Sequence, residues 1–148
     1  MFIILGLVQL LLTKYDGLAD PSRVYIAGHS NGCAMAQRLG YEASDLFAAV
    51  GCHSFFLLVE NNATTTYQSI PVIEVHGIQD FTVYYDDSFN ITGIGAVENF
   101  ERWGALNSCK NESSRRNFDK YYTDTFHDCD APVRLVSIPA AGHYPFPG

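Results

Sequence analysis

Gly28-His29-Ser30-Asn31-Gly32 places a serine between two glycines at the G-x-S-x-G spacing. Arg23-Val24-Tyr25-Ile26-Ala27 precedes it as a short β-branched and aromatic run that reads as a buried strand. Cys33-Ala34-Met35-Ala36-Gln37-Arg38-Leu39 follows and reads as the opening of a helix. A strand turning sharply into a helix strains its corner residue, and the flanking glycines remove Cβ clashes where the two segments cross. The Ser30 hydroxyl would then stand at the carboxyl end of a sheet. The N–H of Asn31, at the helix N-terminus, would face any oxyanion that develops there. The competing reading is a tight turn with an inert serine.

A serine hydroxyl is barely acidic, so nucleophilic chemistry needs a base and a carboxylate to orient it. Candidates occur in the order Ser, Asp, His. His76-Gly77-Ile78-Gln79-Asp80 follows a predicted strand, and Ala140-Ala141-Gly142-His143 follows another. Asp80 and His143 thus fall at strand ends, as Ser30 does, and such ends are where open α/β sheets collect function. Asp80 could instead only cap a turn. Asp86 and Asp87 are rivals further from the strand end. His29, beside Ser30, reads as a pocket-lining residue, and His76 as packed rather than reactive. His53 ends a strand, and His127 lies in a polar stretch. Close backbone approach beside His143 is expected from Gly142.

The elements that must position these residues are read in order along the chain. They are a helix over 2–15, ending near Gly17, then a strand over 23–28, a helix over 32–41 and a strand over 47–52. An insertion runs to about 69. A strand over 71–76, a helix over 94–106, a polar excursion over 107–131 and a strand over 133–138 complete the chain. Strands alternating with helices predict the α/β class, a mostly parallel sheet with helices on both faces. The apolar run Phe2 to Leu12 lacks a preceding cation and a cleavage site, is too short to span a bilayer, and reads as a buried helix.

With 148 residues, 47% of them hydrophobic and 17% charged, the chain is long and apolar enough for one folded domain over 1–148. A net charge of −7 without a basic cluster argues against nucleic acid as a partner. No H-E-x-x-H or C-x-x-C spacing suggests a metal site, and no cofactor is implied. Cys109 and Cys129 flank a loop-like segment that a bridge would staple, whereas Cys33 and Cys52 could be free thiols or a second bridge. Sequons at Asn62, Asn90 and Asn111, together with a bridge, point to a secreted protein.

These motifs together resemble the secreted polyhydroxybutyrate depolymerase and feruloyl esterase-like branch of the α/β-hydrolases. The stretch Asp20-Pro21-Ser22-Arg23-Val24-Tyr25 through Gly28-His29-Ser30-Asn31-Gly32 to Met35-Ala36 is similar to that branch's nucleophile segment. His76 through Tyr85 resembles its H-G-x-x-D-x-x-V-x-Y segment. Gly142-His143-Tyr144-Pro145-Phe146-Pro147-Gly148 resembles its G-H-x-W-P-G ending, with one extra residue and Phe for Trp. The resemblance implies a serine esterase with Ser30 as nucleophile, Asp80 as acid and His143 as base. Its substrate would be a phenolic cell-wall ester, an acetylated polysaccharide or a short polyester. It also implies that the family's amino-terminal strands, with the loop giving the second oxyanion donor, are missing here. The alternative expectation is an inactive fragment serving as a binding module. Aromatics near the candidate loops, Phe55, Phe56, Tyr84, Tyr85 and Trp103, would suit an acyl pocket or simply fill the core.

Overall fold

The computed structural model describes residues 2–58, 66–86, 94–110 and 112–144. Asp87, the sequon asparagines Asn62, Asn90 and Asn111, and the closing residues 145–148 lie outside them.

Asp20 accepts hydrogen bonds from the backbone and hydroxyl of Ser22, at 2.9 and 2.6 Å, and so caps a single 3-10 turn at Pro21–Arg23. That turn aims the chain into strand β1 (Tyr25–His29), which passes directly into helix α2 (Asn31–Glu42). Strands β2 (Ala49–His53) and β3 (Val72–Gly77), helix α3 (Ala96–Leu106) and strand β6 (Val133–Ile138) follow the expected alternation. The sheet order is β1-β2-β3-β6-β5-β4, with the first four strands parallel.

The polar excursion holds more order than its composition suggests. Strands β4 (Ser114–Asn117) and β5 (Tyr122–Thr125) form an antiparallel hairpin that extends the sheet from β6. Every residue of β4 is exposed, so it has no apolar alternation from which a strand could be read. Its ladder is reinforced by a two-bond Arg115–Asp124 pair at 2.9 Å and by the Arg115 guanidinium over the Tyr122 ring.

The α/β class holds, and among the described residues the helical cover lies on one face of the sheet. Val50, Val72, Glu74, Val133 and Leu135 point to one face and are buried, whereas Tyr25, Ile73 and Arg134 point to the other and are exposed. Helices α2 and α3 meet on the buried face, where Gln37 Oε1 accepts from Asn99 Nδ2 at 2.9 Å and from Trp103 Nε1 at 2.6 Å. Helix α1 (Phe2–Lys14) rests only Ile4, Leu5 and Val8 against the same core. It forms where expected but is not buried; Phe2 and Ile3 are 83% and 87% exposed. A helix that is apolar all round carries more apolar surface than one line of contact can cover.

Two bridges tie the layers. Cys109–Cys129 joins the end of α3 to the segment before β6, as expected, and Cys33–Cys52 joins α2 to β2, which the sequence left open. Their loops, with sequence separations of 20 and 19, correspond to about 3 kcal/mol each in the chain-entropy account.

A one-sided core predicts unequal costs for neighbouring truncations. Leu135→Ala should lower unfolding free energy by about 2–5 kcal/mol, and Ile73→Ala by about 1 kcal/mol or less, in urea titrations followed by circular dichroism.

Candidate functional site

Ser30 sits at φ 55°, ψ −126°, the single strained corner between β1 and α2. Such a conformation costs about 1–3 kcal/mol and persists only when its surroundings enforce it. Here they do: Ser30 N–H donates to His53 O at 2.9 Å, and Ser30 O accepts from Ala34 N–H at 3.1 Å. A Cβ on Gly28 would lie 2.2 Å from the backbone carbonyl of Gly32, so the strand and the first helical turn cross at glycine contact distance. Gly32 itself faces open space, so the clearance expected of both glycines is required only at Gly28. The Ser30 side chain does not cap α2 and is left to point elsewhere. Asn31 opens the helix, and its N–H is one of those for which a helix has no internal acceptor.

The Asp80 and His143 loops are stitched together. Ile78 N–H donates to Ile138 O at 3.0 Å and Gln79 N–H to Ala141 O at 2.9 Å. The close approach occurs at Gly77, where a Cβ would meet the carbonyl oxygens of Ala141 and Gly142. At Gly142, the position expected to need it, the nearest contact is an ordinary 3.4 Å.

Three side chains from these loops form a hydrogen-bonded line. The Ser30 Oγ is 2.9 Å from His143 Nε2, and His143 Nδ1 is 2.8 Å from Asp80 Oδ2. A carboxylate only accepts, so Nδ1 carries the proton and Nε2 is free to accept from the hydroxyl. Asp80 is 1% exposed, and its Oδ1 accepts the backbone N–H groups of Thr82 and Val83, each at 2.8 Å. Burial disfavours its charge, but bonds from His76, Val83, His143 and Thr82 outweigh that and hold the carboxyl well below its ordinary range.

His29 supports this line from outside: its Nε2–H donates to His143 O at 2.7 Å, and its ring lies 5.0 Å from that of His143 and 5.1 Å from that of His53. Burial, then the neighbouring His29, His76 and His143, depress the pKa of His53. His127 bonds Ser114 in the hairpin, away from these groups. Asp80, not Asp86, meets His143.

A cleft of about 300 Å³, bordered by Ile78, Phe81, Tyr84 and Tyr85, opens beside Asp80. Trp103 and Phe56 are instead buried, with Trp103 a core residue. Among the described residues no cluster of three or more His, Cys, Asp or Glu could hold a metal ion, and no helix is long and apolar enough to cross a membrane.

His76 is the residue whose surroundings sequence reasoning undervalued. It is fully buried behind Asp80, with Nδ1 3.0 Å from Glu74 Oε1, Nε2 2.9 Å from Val83 O and 3.3 Å from Asp80 Oδ2. Burial alone would lower its pKa, but bonds to Asp80 and Glu74 raise it to about 9. The available signal was its position four residues before Asp80, across a turn.

No family model matches the chain. It is similar to feruloyl esterase B of Piromyces equi, with 29% identity over 136 residues, covering 84% of this chain and 25% of that protein. Among solved structures it is similar to the acetyl xylan esterase from Aspergillus awamori, with a TM-score of 0.75 and 17% identity, covering 95% of this chain and 60% of the other. The chain therefore spans a quarter of the first protein and 60% of the second. The structural likeness establishes a shared α/β fold.

Two measurements check the site's construction. Gly28→Ala should lower unfolding free energy by about 1–3 kcal/mol or more, because the added methyl group meets backbone. Asp80 has a folded pKa below its unfolded value of about 3.9, so its stabilisation is whole above that pH and drains as pH falls through it. Urea midpoints should therefore fall more steeply below about pH 4 in the wild type than in Asp80→Asn, which has no carboxyl to titrate there.

Proposed function

We propose that this chain carries the catalytic residues of a serine carboxylic-ester hydrolase. The observation that carries the reading is the line from the Ser30 hydroxyl through the His143 imidazole to the buried Asp80 carboxylate, at 2.9 and 2.8 Å. A module that only binds has no need of a buried carboxylate aligned on an imidazole and a strained serine.

In this reading Ser30 Oγ attacks the ester carbonyl carbon while His143 Nε2 takes its proton. Asp80 keeps the imidazole in the tautomer that accepts at Nε2 and stabilises the imidazolium that forms. The N–H of Asn31 faces the tetrahedral oxyanion at the start of α2. As the ester C–O bond breaks, His143 returns the proton to the leaving alcohol, leaving the acyl group on Ser30. Water then attacks the acyl-enzyme, giving its proton to His143, and the carboxylic acid departs as Ser30 recovers its hydroxyl. No step calls on a cofactor.

The two relatives are named for feruloyl and acetyl xylan ester cleavage, and those names support an acyl-substituted plant polysaccharide as the substrate class. A short hydroxyalkanoate polyester is the other substrate the sequence resemblance implies. The bridges Cys33–Cys52 and Cys109–Cys129 support a secreted location, because such bonds persist in oxidising compartments.

A fluorophosphonate probe should label the wild type and leave Ser30→Ala unlabelled; equal labelling of both would sink the reading. With 4-nitrophenyl acetate and methyl ferulate, Ser30→Ala and His143→Ala should each lose about 10³-fold or more in kcat. Release of hydroxybutyrate from a short polyester, with neither of these esters cleaved, would move the substrate assignment to the polyester class.

A further inference from the structure

We propose that His76, braced by Glu74, is a positioning residue for Asp80. Its Nε2–H, shared between Val83 O and Asp80 Oδ2, fixes the carboxylate in the orientation that receives the His143 Nδ1–H. In its kinetic half the inference rests on the ester-hydrolase reading; in its structural half it does not.

Asp80 is met by four donors. Oδ1 takes two backbone N–H groups, while Oδ2 takes the imidazole N–H of His143 at 2.8 Å and lies 3.3 Å from that of His76. An ionised carboxylate has about four acceptor positions, so this arrangement fills it. Rotation about the Cβ–Cγ bond would break all four contacts. His76 cannot itself tilt away, because Nδ1 faces Glu74 Oε1 and Nε2 faces Val83 O. Behind it, Glu74 Oε2 accepts from Asn99 Nδ2, and that same amide also donates to Gln37 Oε1 of α2. The circuit thus runs from α2, through α3 and β3, to the carboxylate that faces His143.

This is an expensive way to fill a sheet. Glu74 and His76 are 2% and 0% exposed, and buried ion pairs seldom stabilise more than an apolar pair of the same size. What such a pair supplies is direction. Burial favours the neutral form of Glu74, and the adjacent imidazole favours its anion, so the two groups hold one proton between Oε1 and Nδ1. Under either assignment of that proton, the His76 Nε2–H still faces Val83 O and Asp80 Oδ2. Tyr85 packs edge-on against His76 at 6.0 Å, with its hydroxyl 2.6 Å from Ser137 Oγ, and His53 is the neighbouring imidazole that feels the charge of His76.

The test compares the wild type, His76→Phe and Glu74→Gln. Two readouts are used: hydrolysis of 4-nitrophenyl acetate, and the downfield proton NMR signal of the His143 Nδ1–H. A misplacement of about 1 Å costs about 10²-fold in rate, so His76→Phe should lose about 10- to 100-fold in kcat with KM within about twofold. Its His143 signal should broaden or vanish. Glu74→Gln keeps an amide N–H for His76 Nδ1 and an oxygen for Asn99; it should retain the signal and lose only about threefold in kcat. Folded His76→Phe with wild-type kcat and an unchanged signal would overturn the proposal. If His76→Phe is insoluble, His76→Leu, which likewise offers no N–H to Asp80, is measured in its place against the same two outcomes. Should the wild type cleave no ester and the fluorophosphonate label Ser30→Ala equally, the hydrolase reading fails. The NMR comparison alone then decides whether His76 positions Asp80.

Discussion

A buried carboxylate must be surrounded by donors or surrender its charge, and much of this structure follows from meeting that demand at Asp80. Two of its donors are backbone N–H groups, which require the 80–83 turn to close on itself. The others are imidazoles from two different strand ends. To bring His143 there, the loop after β6 must touch the loop after β3, which Gly77 permits. To bring Ser30 within reach of that imidazole, β1 must break abruptly into α2, which Gly28 permits. The parallel register then sets all three strand ends on one rim.

The rim was largely legible in the sequence because glycine and polar residues at strand ends leave local, short-range signals. Ser30, Asp80 and His143 each follow a β-branched run, and their order along the chain matched one chemistry. Long-range properties were less readable. The burial of Glu74 inside an apolar strand looks, in sequence, like an ordinary outward-facing position of an alternating pattern; only its neighbours Asn99 and His76 make it a core residue. The β4–β5 hairpin escaped notice for the opposite reason, since an exposed edge strand has no buried face to pattern. Helix α1 shows that an apolar composition specifies helix more firmly than burial. Its outward residues find no covering layer among the described residues.

The core is asymmetric in a way that suits the site. Both helices packed across the sheet lie on the face opposite to that reached by Tyr25 and Ile73, and both contribute to one polar circuit through Gln37 and Asn99. Trp103 and the Cys33–Cys52 bridge fix the same region. The polar circuit and the bridge therefore lie together beneath the rim that carries Ser30, Asp80 and His143.

The left-handed backbone at position 30 also limits which side chain could take the role proposed for Ser30. Side chains branched at Cβ are genuine outliers at φ near +55°, because the second substituent crowds the local main chain. Threonine, chemically competent as an alkoxide, is thereby shut out of this corner on steric grounds. Cysteine, unbranched and of similar reach, remains compatible, so in the reading proposed above the shape of the turn narrows the attacking atom to serine oxygen or cysteine sulfur.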